Sequence, residues 1–435
     1  MPQVNSRRAA WSGRWSSLPA VQAARQLGVL AHRAAGIVRE RRFESLHRQT
    51  LGAGRAPDDI SVVLVFSGTL NQLYQAREWL WPLSQLDVRL RAEGLGRVAV
   101  LCRDGASAAA LAPESSLPVF FARTANELDG FLSKPGLLVA FYPNQATLNF
   151  QSLAFPRPAH VHLSHGESDK ISMVSNQLKA YDAVFTAGQA ARRRITNHLV
   201  GFRADVMQDV GRPQHDQPTR VPASLPPSTR VTTLYAPTWE GNSGAMSYSS
   251  LAIAGVELVT ELIESGRRVI YRPHPQTGSR DRSFAEADRM VTRLLSSAGD
   301  EHFVDRGAAY GWQWSVASEA VVDVSAVAFD ALQAEAALVM VRPGDSSAVL
   351  SSHGLIHELT SVDPRRPQLS VALTEASMPE SRHRQRELAE FYFGDTQPGA
   401  QLARFVDASV SLLKARHVAL ELRGSSFEKH EEAQG

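Results

Sequence analysis

A single cysteine in 435 residues is the first scarcity. Cys102 has no partner for an internal disulfide, and in the apolar run "VAVLCRDG" it is read as core filler, so a cytoplasmic chain is expected. No stretch approaches the ~20 uninterrupted apolar residues of a bilayer span, and no compact apolar signal segment opens the sequence. Also missing are a GxxxxGK(S/T) phosphate loop, an HExxH zinc motif, a paired CxxC and a GxSxG elbow, which argues against P-loop hydrolysis, zinc proteolysis and lipase-type catalysis. The 14 histidines are dispersed, so neither a metal nor a cofactor is expected.

What is present suits two globular domains, given the length and 43% hydrophobic content. Charge is unevenly spread. Residues 1–55 hold ten arginines against Glu40 and Glu44, a local +8, so the other 380 residues carry −6 of the +2 net charge. Within this arm (1–59), residues 22–38 place Ala23, Leu27, Leu30, Ala31, Ala34, Ile37 and Val38 on one helical arc, with Gln22, Arg25, Gln26, His32 and Arg33 opposite and Val29 the one misfit. Such a basic amphipathic helix fits an anionic membrane surface through residues 20–48, or it docks on the protein's own body with its arginines solvated. Nucleic acid is disfavoured, since the basic residues are not interleaved with aromatics.

From residue 60 onward, short apolar runs alternate with helical stretches, the pattern of parallel sheets covered on both faces. "SVVLVFSG", "RVAVLCRD", "LPVFFAR", "GLLVAFYP", "AHVHLSHG" and "YDAVFTAG" are predicted strands of a first Rossmann-like domain, 60–211. A Pro-rich linker, 212–230, leads to a second such domain, 231–395, with strands at "VTTLYAP", "RRVIYRP", "EHFVDRG", "EAVVDVS" and "ALVMVRPG". A helix and charged tail, 396–435, close the chain, and a cleft is expected between the domains.

Four clusters of polar residues fall at the carboxyl ends of predicted parallel strands, where open α/β sheets place ligands. These are "SHGESDK" (164–170), "APTWEG" (236–241), "RPHP" (272–275) and "DVS" (323–325). His274, set between Pro273 and Pro275, is held on a stiff extended loop, and with Arg272 it suits a diphosphate. His165 precedes Gly166, whose freedom allows close ligand approach, and then Glu167, Asp169 and Lys170. A carboxylate there would orient the imidazole as a general base. Thr238 and Ser325 stand where a hydroxyl caps a helix or where the helix N-terminus binds an anion. Asp330 lies in the following helix, reaching a ribose, the linker or water.

In order along the chain, "HGESDK", "GRPQHD", "YAPTWEG", "RPHP" and "DVSAVAFD" resemble the motifs of the CDP-glycerol glycerophosphotransferases of the teichoic-acid polymerase type. Members of that family carry HG-x-x-x-K, G-x-P-x-x-D, Y-A-P-T, R-x-H-P and D-x-S-S-x-x-x-D segments. The late "FYFGDTQPGA" looks like the family's terminal acidic-glycine segment, and the resemblance spans about residues 160–400. It implies a GT-B fold: two Rossmann-like α/β domains facing a cleft, here behind a basic N-terminal helical arm. It further implies a CDP-glycerol or similar CDP-polyol donor, a lipid-linked polymer acceptor, release of CMP, and a place on the inner face of the cell membrane. Carried over by position, His165 is the base and His274 the second catalytic histidine. Gly166, Lys170, Arg212, Pro237, Thr238, Arg272, Pro273, Asp323, Ser325, Ala326 and Asp330 line the donor site. Ala326 replaces the family's second serine, Gln214 its arginine, and Glu167–Ser168 its Thr-Pro pair. These departures keep two alternatives open: a GT-B glycosyltransferase using a nucleotide sugar, and a non-catalytic nucleotide- or polymer-binding protein.

Overall fold

The computed structural model describes residues 42–164, 166–167, 174–307, 311–352 and 354–432, with side chains described up to 423. The amphipathic segment 22–38 and two of the expected site residues, His165 and Lys170, lie outside the described residues.

The first sheet has seven strands: β1 (Ile60–Phe66), β2 (Arg97–Cys102), β3 (Val119–Phe121), β4 (Val139–Tyr142), β5 (Ala159–His162), β6 (Ala183–Thr186) and β7 (Met207–Asp209). Their spatial order is β3-β2-β1-β4-β5-β6-β7, and every pair is parallel. All seven residues of β1 are buried because helices cover both faces, which is why its sequence, with the single exception of Ser61, is apolar without alternation. The helices described in this half are α1 (42–51), α2 (Tyr74–Ala92), α3 (Gly105–Leu111), α4 (Ala125–Leu132), α5 (Asn149–Leu153) and α6 (Gln189–His198). α1, grouped by charge with the arm, is built into the body: buried Glu44 pairs with Arg123, and the Arg48 guanidinium lies 5.6 Å from the Phe121 ring.

The second sheet comprises β8 (Thr232–Ala236), β9 (Arg268–Tyr271), β10 (Phe303–Val304), β11 (Glu319–Val322), β12 (Ala337–Val341) and β13 (Ser361–Val362), in the parallel order β10-β9-β8-β11-β12-β13. Its helices are α7 (Leu251–Glu264), α8 (Arg282–Ala298), α9 (Ala326–Gln333), α10 (Leu369–Ala376) and α11 (Pro379–Phe393). Residues 244–264 have the length and mean hydropathy of a membrane span, but half of that stretch is buried, and α7 packs Leu258, Val259 and Leu262 into the second domain's core.

The last helix, α12 (Ala400–Glu432), crosses back to the first domain. Phe405 sits at 0% exposure among Trp79, Phe141 and Phe185, at ring-centroid separations of 5.3, 5.9 and 6.3 Å. Asp216, in the turn after β7, accepts the backbone N–H groups of Gly399 (2.9 Å) and Leu402 (2.7 Å) and so anchors the start of α12. Apolar runs in the sequence mark each of these strands except β7 and β13, which have only three and two residues. The helices α3, α5, α6, α10 and α11 are likewise not evident from the sequence, being short or lacking a clean period.

Candidate functional site

Strand order alone puts a crevice in the second domain. β8 and β9 run one way from the start of the sheet and β11 continues on the other side, so the topological switch point lies between β8 and β11. The loops leaving β9, β8 and β11 therefore stand side by side at one edge. They carry Arg272–Pro273–His274, Pro237–Thr238 and Asp323–Ser325–Ala326.

Backbone bonds fix these loops. Asp323, fully buried, accepts the N–H of Thr238 at 2.8 Å and of Ser250 at 3.1 Å through Oδ2. Its other oxygen, Oδ1, is enclosed with no hydrogen-bond partner among the described residues. Burial pushes this carboxyl up to about 7, against the lowering effect of the bonds from Ser250 and Thr238. Raised in this way, the carboxyl can hold a proton and donate it to a ligand oxygen.

Ser325 occupies the N-cap of α9 with extended backbone, φ −154° and ψ 174°, yet its side chain makes no capping bond and its hydroxyl is enclosed and without a partner among the described residues. Ordinary capping, one of the two roles expected for it, is not what the hydroxyl does. Ala326, beside it, is exposed, and Pro237 and Pro273 are buried.

On the β9 side, the loop is pinned from below. Glu240 accepts the N–H groups of Gly278 (3.0 Å), Arg280 (2.7 Å) and Asp281 (3.2 Å). Burial alone would raise this carboxyl, but those bonds outweigh it and hold it below the ordinary glutamate value. His274 Nδ1 accepts the N–H of Gln276 at 3.1 Å, which leaves the ring proton of the neutral form on Nε2. The imidazole lies nearly parallel to the Trp239 indole, 20° between planes and 6.1 Å between centroids. Trp239 was not among the expected site residues; an aromatic directly after Thr238 at a strand end was the signal for it. Arg272 reaches Asp305 rather than standing open, and Asp305 also holds Gln313 (2.5 Å) and the N–H of Gly307 (2.9 Å).

A second cluster lies between the domains. Arg212 donates from Nη1 to Asp330 Oδ1 at 2.5 Å, and His215 Nε2 lies 3.0 Å from the same oxygen. Of the three destinations open to Asp330, the structure selects the linker. Across the cleft, Glu78 Oε2 on α2 is 3.9 Å from Arg212 Nη2. The Glu78 side chain is 31% exposed, but Oε2 itself is enclosed, and burial pushes the carboxyl up to about 7, with Arg212 pulling it down and Asp330 pushing it up. Gly211 before Arg212 has φ +74°, and a Cβ there would meet Gln401 and Arg404 at 2.6 Å, so only glycine fits this turn.

Gly166 approaches the same cluster: a Cβ on it would lie 4.0 Å from Arg212 Nη1. Its loop is held by Trp79 Nε1, which donates to Ser164 O at 2.6 Å, and Ser164 takes the left-handed φ of +73°. Glu167, 3% exposed, pairs with Arg194 of α6. Glu167 is one of the two carboxylates, with Asp169, that the sequence offers to orient His165. Gly166, Glu167, Arg194, Arg212 and Gln214 border a cavity of about 50 Å³. α9 links the two clusters, since Ser325 stands at the N-cap position of the helix whose Asp330 faces Arg212, about 7 Å further along its axis. The fold thus separates the residues expected to line the donor site into two groups: Thr238, Arg272, Asp323 and Ser325 at the switch point, joined by the catalytic candidate His274, and Gly166, Arg212 and Asp330 at the cleft.

No protein-family model matches this chain, and no curated protein matches it in sequence. Solved structures do resemble it in fold. A putative UDP-N-acetylglucosamine 2-epimerase from Listeria monocytogenes aligns with TM-score 0.55 and 12% identity, over 82% of this chain and 97% of that one. An S. aureus MnaA-UDP co-structure gives 0.51 and 12%, over 82% and 97%. The wall teichoic acid polymerase TagF, in a variant soaked with CDPG, gives 0.50 and 12%, over 90% of this chain and 98% of that one. The chain has the two-domain, parallel-sheet GT-B fold that these proteins share.

Proposed function

We propose that this chain is a transferase that holds a CDP-linked polyol at the β8/β11 switch point and passes its polyol phosphate to an acceptor hydroxyl in the cleft. The observation that carries this reading is the enclosed pair Asp323 Oδ1 and Ser325 Oγ, both without partners among the described residues, beside the N-terminus of α9. A diphosphate supplies acceptors for the α9 amides and the serine hydroxyl, and Asp323, whose raised pKa favours the protonated form, donates to it through Oδ1. Nε2–H of His274 is a fixed donor from the opposite side of the crevice. Trp239 offers the nucleoside a flat face.

In the reaction, the acceptor hydroxyl oxygen bonds to the β-phosphorus as the bond from that phosphorus to the bridging oxygen breaks. CMP leaves with the bond's electrons, and the hydroxyl proton passes to the base, the role that resemblance gives to His165. Positioning and charge neutralisation supply most of the acceleration in such transfers. The structural likeness to TagF with CDPG supports the donor class at the level of fold. A lipid-linked polymer of the teichoic-acid kind, met at the inner face of the membrane, is the acceptor that gives the basic arm a purpose. The likeness to a putative UDP-N-acetylglucosamine 2-epimerase and to the MnaA-UDP co-structure favours the second reading, a nucleotide-sugar enzyme.

Thermal shift and product analysis of the purified chain with CDP-glycerol, CDP-ribitol, CMP and UDP-, GDP- and TDP-sugars separates them. A CDP-polyol should stabilise the chain, with CMP released on adding a lipid-linked acceptor, and His274→Ala should abolish the stabilisation. Stabilisation by nucleotide sugars alone would refute the CDP-polyol reading.

A further inference from the structure

The first sheet has its own switch point, between β1 and β4, and Arg103 lies across it. This residue follows β2, is 8% exposed, and has no carboxylate bonded to it among the described residues. A guanidinium presents two forks of donors. The side fork, Nε and Nη2, is filled by the carbonyls of Ala122 (2.8 Å) and Arg123 (3.0 Å). The end fork, Nη1 and Nη2, holds one neutral partner, Gln151 Oε1, 2.9 Å from Nη2. Nη1 is enclosed and has no hydrogen-bond partner among the described residues.

Gln151 is an exposed residue of α5, the helix after β4, so the guanidinium reaches past the end of β1 to meet it. Ser67, the first residue after β1, contributes an enclosed hydroxyl that also lacks a partner among the described residues. Carboxylates near this edge are engaged elsewhere: Glu44 by Arg123, Glu127 by Arg48 at 3.0 Å and by the start of α4, and Asp104 by Ser107 at 2.8 Å. Burial lowers the pKa of Arg103 from the ordinary arginine value, with Glu127 and Tyr142 offsetting part of that, and the group stays cationic. A buried cation with half of one fork filled by a movable amide is suited to an oxyanion in the amide's place.

We propose that the crevice at the β1/β4 switch point binds a phosphate ester, gripped by Arg103 through Nη1 and Nη2 after Gln151 swings outward. Leu148 and Phe150, each 45% exposed on either side of Asn149, border Gln151 and offer the ester's organic part an apolar rim. The phosphate belongs either to a soluble polyol phosphate or to a lipid headgroup, and the site recognises the ester in both. That the ester is the acceptor's rests on the transferase reading; that an anion binds here does not.

The test uses the full chain with two probes: sn-glycerol 3-phosphate by calorimetry, and phosphatidylglycerol vesicles by sedimentation. Gln151→Glu places a carboxylate on the end fork; it should raise Tm and weaken phosphate-ester binding at least tenfold. Gln151→Ala removes the amide that competes and should bind as tightly as wild type or several-fold tighter. Arg103→Gln should lose binding, but it also breaks three bonds, so the two Gln151 variants, which leave the guanidinium in place, are the decisive ones. Loss of the soluble ester in Gln151→Glu assigns a soluble ligand, whereas loss of vesicle binding alone assigns a headgroup. Equal binding of both probes by wild type and Gln151→Glu overturns the proposal, as does no binding of either probe to wild type. Stabilisation by CDP-glycerol, measured in parallel on Gln151→Glu, reports the donor site separately.

Discussion

Replacing Asp330 by asparagine tests whether the linker is bolted to the second domain by charge. Asp330 Oδ1 accepts from Arg212 at 2.5 Å and faces His215 at 3.0 Å, with Arg212 only 10% exposed and Asp330 3%. Removing one partner of a buried pair costs about 3–5 kcal/mol, because the other charge stays buried. Glu78, 3.9 Å away, keeps part of the compensation, which points to the low end, about 3 kcal/mol. At roughly 2–4 °C per kcal/mol for a cooperative unit of this size, the Tm should fall by about 6–12 °C. Differential scanning calorimetry at neutral pH reads this directly, with scan rate varied because a two-domain chain need not unfold in one step. Adding Arg212→Met to Asp330→Asn removes the stranded cation and should recover most of the loss. A fall of less than about 2 °C in the single variant, with nucleotide affinity reduced instead, would refute the bolt and return Asp330 to the ligand.

Three further outcomes follow from the same geometry. Glu78 and Asp323 have carboxyls raised to about 7 from 4.5 and 3.8, so between about pH 4.5 and 7 the folded chain holds protons that the unfolded chain has released. Stability should therefore fall as pH rises through that window, and Glu78→Gln with Asp323→Asn should flatten the slope in urea titrations; an unchanged slope would count against both shifts. Phe405→Ala removes the ring that docks α12 on the first domain and should cost about 3–5 kcal/mol, seen as a lower urea midpoint. Trp239→Ala should weaken nucleotide binding about tenfold, consistent with stacking worth about 0.5–1.5 kcal/mol, while leaving Tm within a few degrees; unchanged affinity would remove Trp239 from the nucleoside's contacts.

The architecture was legible because a strand covered on both faces is largely apolar: 62–66 in β1 and all of β4 and β12 stand out as unbroken runs, and β2 as a nearly pure one, with most polar residues in the turns between them. By the same reasoning, sequence alone placed Thr238, His274, Asp323 and Ser325 at strand ends, since Pro, Ser and His interrupt those runs abruptly. It did not show α6 or α11, whose buried faces are narrow and whose partners are far away in the chain.

Only the tertiary structure decided what each charged side chain is bonded to. A carboxylate in a sequence has no address: Asp330 meets an arginine 118 positions earlier, Glu167 meets one on α6, and Arg272 meets Asp305 just past the end of the neighbouring strand β10. Local sequence sets backbone geometry and burial period, which act over a few residues. The pairing of buried charges depends on which chain segments the folded core brings within a few ångströms, where desolvation makes each unpaired group costly. The same holds for Arg103, an unremarkable residue after a strand until the fold surrounds it and leaves one fork half filled.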